Sequence, residues 1–223
     1  MQRTALKIAL PSGGTVSALL DVPADATAAF VFAHGAGAGM NHWFMEALAS
    51  ALAVRAIATV RFQFPFIDQD SKRPYPPAAA HAAIRAAVAE AASRCPGLAL
   101  FAGGKSYGGR MTSQAQALEA LPKVRGLIFV GFPLHPAGKP AVERAQHLAD
   151  VALPMLFLQG TRDALAELEL LRATTVKLGG LTTLHVVDGA DHAFHVLARS
   201  GRSDAQVLAE VADTMAGWMT LQA

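Results

Sequence analysis

Cysteine is almost missing from this chain of 223 residues: Cys95 stands alone. No internal disulfide can form, and such a chain suits a reducing cytoplasm. Charge is sparse as well. Asp, Glu, Lys and Arg make up 16% of the residues and the net charge is only +2. The basic residues are scattered rather than gathered into a stripe, so there is no footprint for nucleic acid. No apolar run reaches the ~18 residues of a membrane-spanning helix. The start, Met1 to Lys7, has no long apolar stretch behind its charge, so no secretory leader is expected. Metal motifs are missing too. His192 and His195 are spaced i, i+3, but neither a Cys/His cluster nor H-E-x-x-H accompanies them. Gly104-Lys105-Ser106 imitates the end of a phosphate loop, yet Ala99 occupies the place of that loop's first glycine. We therefore expect no metal and no cofactor. Internal repeats, low-complexity tracts and linkers are also wanting, which predicts one domain over 1–223.

Apolar residues, at 52%, are what the chain has in plenty. They fall into strand-length runs alternating with helix-compatible stretches. Leu6 to Leu10 and Val16 to Val22 read as a hairpin around Ser12-Gly13-Gly14. Ala29 to Ala33 and Ala56 to Phe62 read as strands, with a helix from His42 to Val54 between them and Asn41 as its cap. Phe64 to Pro77 reads as a Pro-rich loop, and Ala78 to Arg94 as an Ala-rich helix. Beyond the strand Leu98 to Ala102, a helix is predicted over Met111 to Ala120. A strand over Val124 to Val130 and a Pro-rich loop from Gly131 to Pro140 follow. Met155 to Leu158 and Thr182 to Val187 are the last strands; Leu165 to Leu178 and Asp204 to Met219 are the last helices. Continuous apolar strands alternating with helices imply a mostly parallel sheet covered on both faces.

Within that frame Gly104-Lys105-Ser106-Tyr107-Gly108 carries the chemistry. It reads G-x-S-x-G at the exit of a buried strand, the setting of a nucleophile elbow, where the turn is so sharp that glycine is needed on both sides of the serine. Triads of this kind run Ser, Asp or Glu, then His along the chain. Asp163 follows the strand ending at Gly160, and His192 follows the strand ending at Val187. All three candidates lie past the C-terminal ends of strands, where catalytic groups of open α/β sheets collect. Asp188 and Asp191 are alternatives to Asp163, which could instead cap a helix, and His195 is an alternative to His192.

Several stretches resemble one family. They are His34-Gly35-Ala36-Gly37-Ala38-Gly39-Met40, Arg61-Phe62-Gln63-Phe64-Pro65, Gly103 to Met111, Gly131-Phe132-Pro133-Leu134-His135-Pro136, Leu158-Gln159-Gly160-Thr161-Arg162-Asp163 and Asp188-Gly189-Ala190-Asp191-His192. Together they resemble the α/β-hydrolase superfamily in its small dienelactone-hydrolase-related branch. More closely, they resemble the group containing testis-expressed protein 30 and the hydrolase-like part of NSL-complex subunit 3. The resemblance implies a three-layer α/β-hydrolase fold and a triad of Ser106, Asp163 and His192, without implying a substrate.

Ser106 is a weak nucleophile until a base takes its proton; His192 would be that base, and Asp163 would orient it. Oxyanion donors are expected at the backbone N–H groups of Tyr107 and Ala36, with Gly37 a rival to Ala36. Gly35, Gly37 and Lys105 are candidate substrate contacts. Lys105 could face solvent or a helix, or meet a carboxylate. Arg61 and Arg110 are read as packing or ion-pairing residues, His34 as a support of the oxyanion loop, and His135 as a loop residue. Lids of this superfamily are inserted after the strand that follows the elbow helix, but the stretch from Gly131 to Ala152 is short and Pro-rich. A lidless or minimally covered site is therefore expected. The reading is a cytoplasmic serine hydrolase acting on a small-molecule ester or thioester. Nothing in the residues specifies oligomeric state. The alternative is a non-catalytic protein of the same fold that binds a ligand or partner.

Overall fold

The computed structural model describes residues 1–68 and 76–223. Part of the expected Phe64–Pro77 loop lies outside these residues. The chain opens with an antiparallel hairpin, β1 (Gln2–Ala9) and β2 (Thr15–Val22), whose turn closes through the Leu10 N–H on the Gly14 carbonyl. β1 points Leu6 and Ile8 inward and Arg3 and Lys7 outward, the alternation of a strand at a sheet edge. Then come β3 (Ala28–Ala33), α1 (Trp43–Ala53), β4 (Ile57–Phe62), the single turn α2 (Pro65–Asp68) and α3 (Pro77–Arg94). The second half runs β5 (Ala99–Lys105), α4 (Tyr107–Leu118), β6 (Val124–Val130), β7 (Met155–Gly160), α5 (Leu168–Leu178), β8 (Thr182–Val187) and α6 (Asp204–Gln222).

These eight strands form one sheet in the order β1-β2-β4-β3-β5-β6-β7-β8, with β2 antiparallel to β1 and β4 and every later pairing parallel. Both faces are covered. α1 and α6 bury Leu48, Leu52, Val211 and Met215 against one side; α3 and α4 bury Ile84, Val88, Met111 and Ala115 against the other. All six residues of β3, β4 and β7 are buried; β3 reads as an unbroken apolar run, while Thr59 and Arg61 interrupt β4 and Gln159 interrupts β7. β3 lies between β4 and β5, so the chain winds outward in both directions from the β3/β5 pair. Ligands of open α/β sheets bind at such a point. Ala33 is paired with Gly104, so the segments leaving β3 and β5 emerge side by side.

One buried charge group ties the hairpin to this point. Arg61 on β4 donates to Asp21 Oδ2 on β2 (2.8 Å) and to the Met40 carbonyl (2.9 Å), while Gln63 accepts the Met40 N–H (2.9 Å). Burial alone would raise the Asp21 pKa. Hydrogen bonds from Arg3 and Arg61 outweigh it and hold the carboxyl below its usual range. The ion-pairing role expected of Arg61 is thus what the structure has.

Boundaries differ from expectation where side chains or turns decide them. α1 is capped by His42, whose Nδ1 accepts the Phe44 N–H, and not by Asn41. α4 starts directly after Ser106, ahead of the expected Met111, because the elbow feeds straight into the helix; Gly108 and Gly109, poor helix formers, hide that start. α5 begins at Leu168, since Asp163 to Ala166 is taken up in a turn. Between β6 and β7, residues Glu143–Asp150 form a 3-10 helix that packs on α4. Among the described residues no lid covers the β3/β5 exit.

Candidate active site

Ser106 sits at the tip of the turn from β5 into α4, with φ 51° and ψ −114°, a conformation that costs strain for any residue with a side chain. Crowding explains the flanking glycines. A β-carbon on Gly104 or on Gly108 would lie 2.4 Å from the Ala33 carbonyl oxygen. Helix and neighbouring strand meet here with backbone against backbone.

Asp163 and His192 come to this serine from two loops. The Ser106 Oγ is 2.8 Å from His192 Nε2, and His192 Nδ1 is 2.7 Å from Asp163 Oδ2. Asp163 is buried, and its carboxylate also accepts the Leu165 N–H at Oδ1 (2.8 Å) and Gln159 Nε2 at Oδ2 (2.5 Å). It therefore serves the turn before α5 and faces the imidazole at once, so the two readings of this residue were not exclusive. Asp188 accepts from the Thr161 hydroxyl instead (3.3 Å). Asp191 staples its own loop, accepting the Ala193 N–H (2.8 Å) and the His195 N–H (3.0 Å). His195 is exposed and pairs with Asp204, which raises its pKa by hydrogen bonding and charge.

The segment after β3 lies against the elbow: a β-carbon on Gly35 would be 3.9 Å from Ser106 Cβ. Ala36 and Gly37 follow and line the cavity above the serine. Tyr107 is the first residue of α4, so its N–H has no acceptor within the helix. His34 is buried; its Nε2 accepts the Phe64 N–H (3.1 Å), so Nδ1 carries the proton and donates to the Gly35 carbonyl (2.7 Å). That is the supporting role expected of it. His135 is more than a loop residue: it is buried and joins Pro136 to the Glu167 N–H.

Lys105 is half-buried at the wall of the cavity above Ser106 and turns its ammonium toward α1 and the His192 loop. Its Nζ donates to the His192 carbonyl at 2.5 Å and lies 5.9 Å and 5.4 Å from the ring centroids of Phe44 and Phe194. Burial pushes its pKa down to about 8, against the opposing pull of Asp163 and Asp191. Arg110 points elsewhere. Burial is the main cause of its lowered pKa, with Arg144 adding to it, and it does not line the cavity.

That cavity holds about 660 Å³, within the usual range for small-molecule sites. Trp43, Phe44 and Met45 from α1 form one wall, Ala164 and Leu165 another, with Arg162 at the rim. Gln159 is a member of the site beyond those expected. It was legible as a polar residue in an otherwise apolar strand, and it bridges Asp163 to the Phe132 N–H. Among the described residues no group of three or more His, Cys, Asp or Glu is arranged to hold a metal ion, and no helix is long and apolar enough to cross a membrane.

The fold has counterparts among known proteins. A family model described as an alpha/beta hydrolase domain matches residues 26–220. Among solved structures, a serine hydrolase homologue from Coxiella burnetii superposes with TM-score 0.76 at 21% identity, covering 97% of each chain. A dienelactone hydrolase from Anabaena variabilis gives 0.77 at 18% identity, over 99% of this chain and 98% of that one. A serine hydrolase without a lid from Xanthomonas campestris gives 0.75 at 20% identity, over 98% and 95%. At such identities the likeness is one of fold.

Proposed function

The chain belongs to the alpha/beta hydrolase domain family, and we propose that it is a serine hydrolase cleaving a carboxylic ester or thioester through an acyl-enzyme intermediate. The relay of Ser106, His192 and Asp163 at 2.8 Å and 2.7 Å carries this reading. Ser106 Oγ attacks the acyl carbon while its proton passes to His192 Nε2. Asp163 fixes the tautomer with the proton on Nδ1 and stabilises the imidazolium as it forms. Tyr107 and Ala36 (or Gly37 in its place) offer backbone N–H groups to the developing oxyanion; losing one such donor typically costs ~10²–10³ in turnover. His192 then returns its proton to the leaving alcohol or thiol. A water, deprotonated by the same imidazole, releases the acid and restores Ser106.

The open cavity and its apolar walls suit a small or medium acyl group more than a long lipid tail. We read 1–223 as one domain, supported by the single sheet, and keep the closer grouping with testis-expressed protein 30 and NSL-complex subunit 3 on the stretches named above. A cytoplasmic setting belongs to the same reading, supported by the lone, buried Cys95.

Fluorophosphonate labelling of the purified protein tests the proposal, alongside p-nitrophenyl acetate and butyrate turnover. Wild type should label and turn over, whereas Ser106→Ala and His192→Ala should do neither. A folded wild type that takes no label would sink the hydrolase reading in favour of a ligand- or partner-binding protein.

A further inference from the structure

We propose that Lys105 is a positioning residue: its ammonium pins the loop carrying His192 to the nucleophile elbow, inside a cage made by the His192 carbonyl and the rings of Phe44 and Phe194. The proposal rests on the hydrolase reading and adds to it a residue outside the triad. Three observations carry it. First, Nζ meets the His192 carbonyl at 2.5 Å, so the residue preceding the nucleophile grips the backbone of the base. Second, Phe44 from α1 and Phe194 from the His192 loop stack on each other, centroids 5.7 Å apart, and both lie within 6 Å of the ammonium, the range of cation–π attraction. Third, the passage is built to admit the side chain. Gly131 takes φ +70°, and a β-carbon there would lie 3.1 Å from Lys105 Nζ and 3.5 Å from the His192 ring.

An ammonium has three donors. The His192 carbonyl takes one of them, and the two rings flank the ammonium. Phe194 itself holds φ +63°, an uncommon conformation for a bulky side chain, and it persists only if its surroundings hold it. The ammonium and the Phe44 ring supply that hold. Charge matters to the cage, because a neutral amine loses its attraction to the rings. Asp163 after β7 and Asp191 and His192 after β8 face the ammonium, with Arg162 and His42 on the rim of the same cavity. Since burial brings Lys105 to about pH 8, the cage should loosen as pH rises through that value.

The experiment pairs kinetics on p-nitrophenyl acetate, a neutral ester, with hydrogen exchange over residues 191–196. Lys105→Met should lower kcat roughly 10- to 100-fold with KM within about twofold, as expected when a reacting group is displaced by a fraction of an ångström to 1 Å. Wild-type kcat should fall above about pH 8, and this limb should vanish in Lys105→Met. Protection factors over 191–196 in wild type should fall through the same pH while those of β5 and α4 stay level. Wild-type kcat in Lys105→Met, a loss confined to KM, or pH-independent protection of the loop would overturn the proposal. The exchange measurement needs no variant and no turnover. A protein that hydrolyses nothing therefore defeats the hydrolase reading while the cage is still tested.

Discussion

The elbow after β5 and the loop after β8 place two halves of one relay by opposite means. β5 lies inside the sheet between β3 and β6, and Ser106 is held where it is by backbone packed on backbone around Gly104 and Gly108. β8 is an edge strand and only Val187 in it is fully buried. Past it, the His192 loop is held by side chains: the Asp191 staple, the Phe194 ring and the Lys105 ammonium. Sterics give Ser106 one position. His192 has a position only as good as a handful of polar and aromatic contacts.

The sharpest way to break this contrast is at the elbow. Gly108→Ala puts a carbon 2.4 Å from the Ala33 carbonyl oxygen with no flexible neighbour to yield. Loss of ~4 kcal/mol or more of stability, or failure to fold, is expected from such backbone overlap; urea melts would measure it, and a variant near wild-type stability would remove the steric account. Asp163→Asn comes next. Its fold should survive, while kcat for p-nitrophenyl acetate falls by ~10³–10⁴ because the amide favours the wrong tautomer of His192. Asp191→Ala should be milder, about tenfold in kcat and ~1–2 kcal/mol in stability, since the loop loses one acceptor of two N–H groups and keeps its other ties. An unchanged kcat there would mean the staple does not position the base. Smallest of all is His195→Ala, which should leave kcat alone. Asp204 raises the His195 pKa, so that pairing stabilises the fold at low pH and is lost as pH rises through the raised value. Both side chains are exposed. An NMR titration of His195 should show a midpoint above its ordinary value that retreats in salt.

The same contrast explains what the residues disclosed in advance. The elbow was legible because its constraint is written as glycines around one serine, and the buried strands because burial on both faces leaves them mostly apolar. Asp163 and His192 were legible by order along the chain and by strand exits, though Asp188, Asp191 and His195 stood beside them as rivals. Only contacts across the fold separate them, as between His192 and Ser106 at 2.8 Å. Lys105 was singled out only as a possible substrate contact, and its bond to the His192 carbonyl, like the bridge Gln159 makes from Asp163 to Phe132, becomes visible only when the β8 and β6 exits are brought beside them. Helix starts at Trp43, Tyr107 and Leu168 were misread where a histidine cap, a strained elbow and an aspartate turn override local propensity.

The bond from Arg61 to Asp21 reaches further than its place in the sheet suggests. The span shared with the family begins at residue 26, past the first hairpin. A chain trimmed to that span would keep every residue of the relay and still bury a guanidinium with its carboxylate cut away, a defect on the order of 3–5 kcal/mol. The same guanidinium grips Met40, where the segment beside Ser106 ends. The outermost ribbon thus supplies a counter-charge on which the segment beside Ser106 depends.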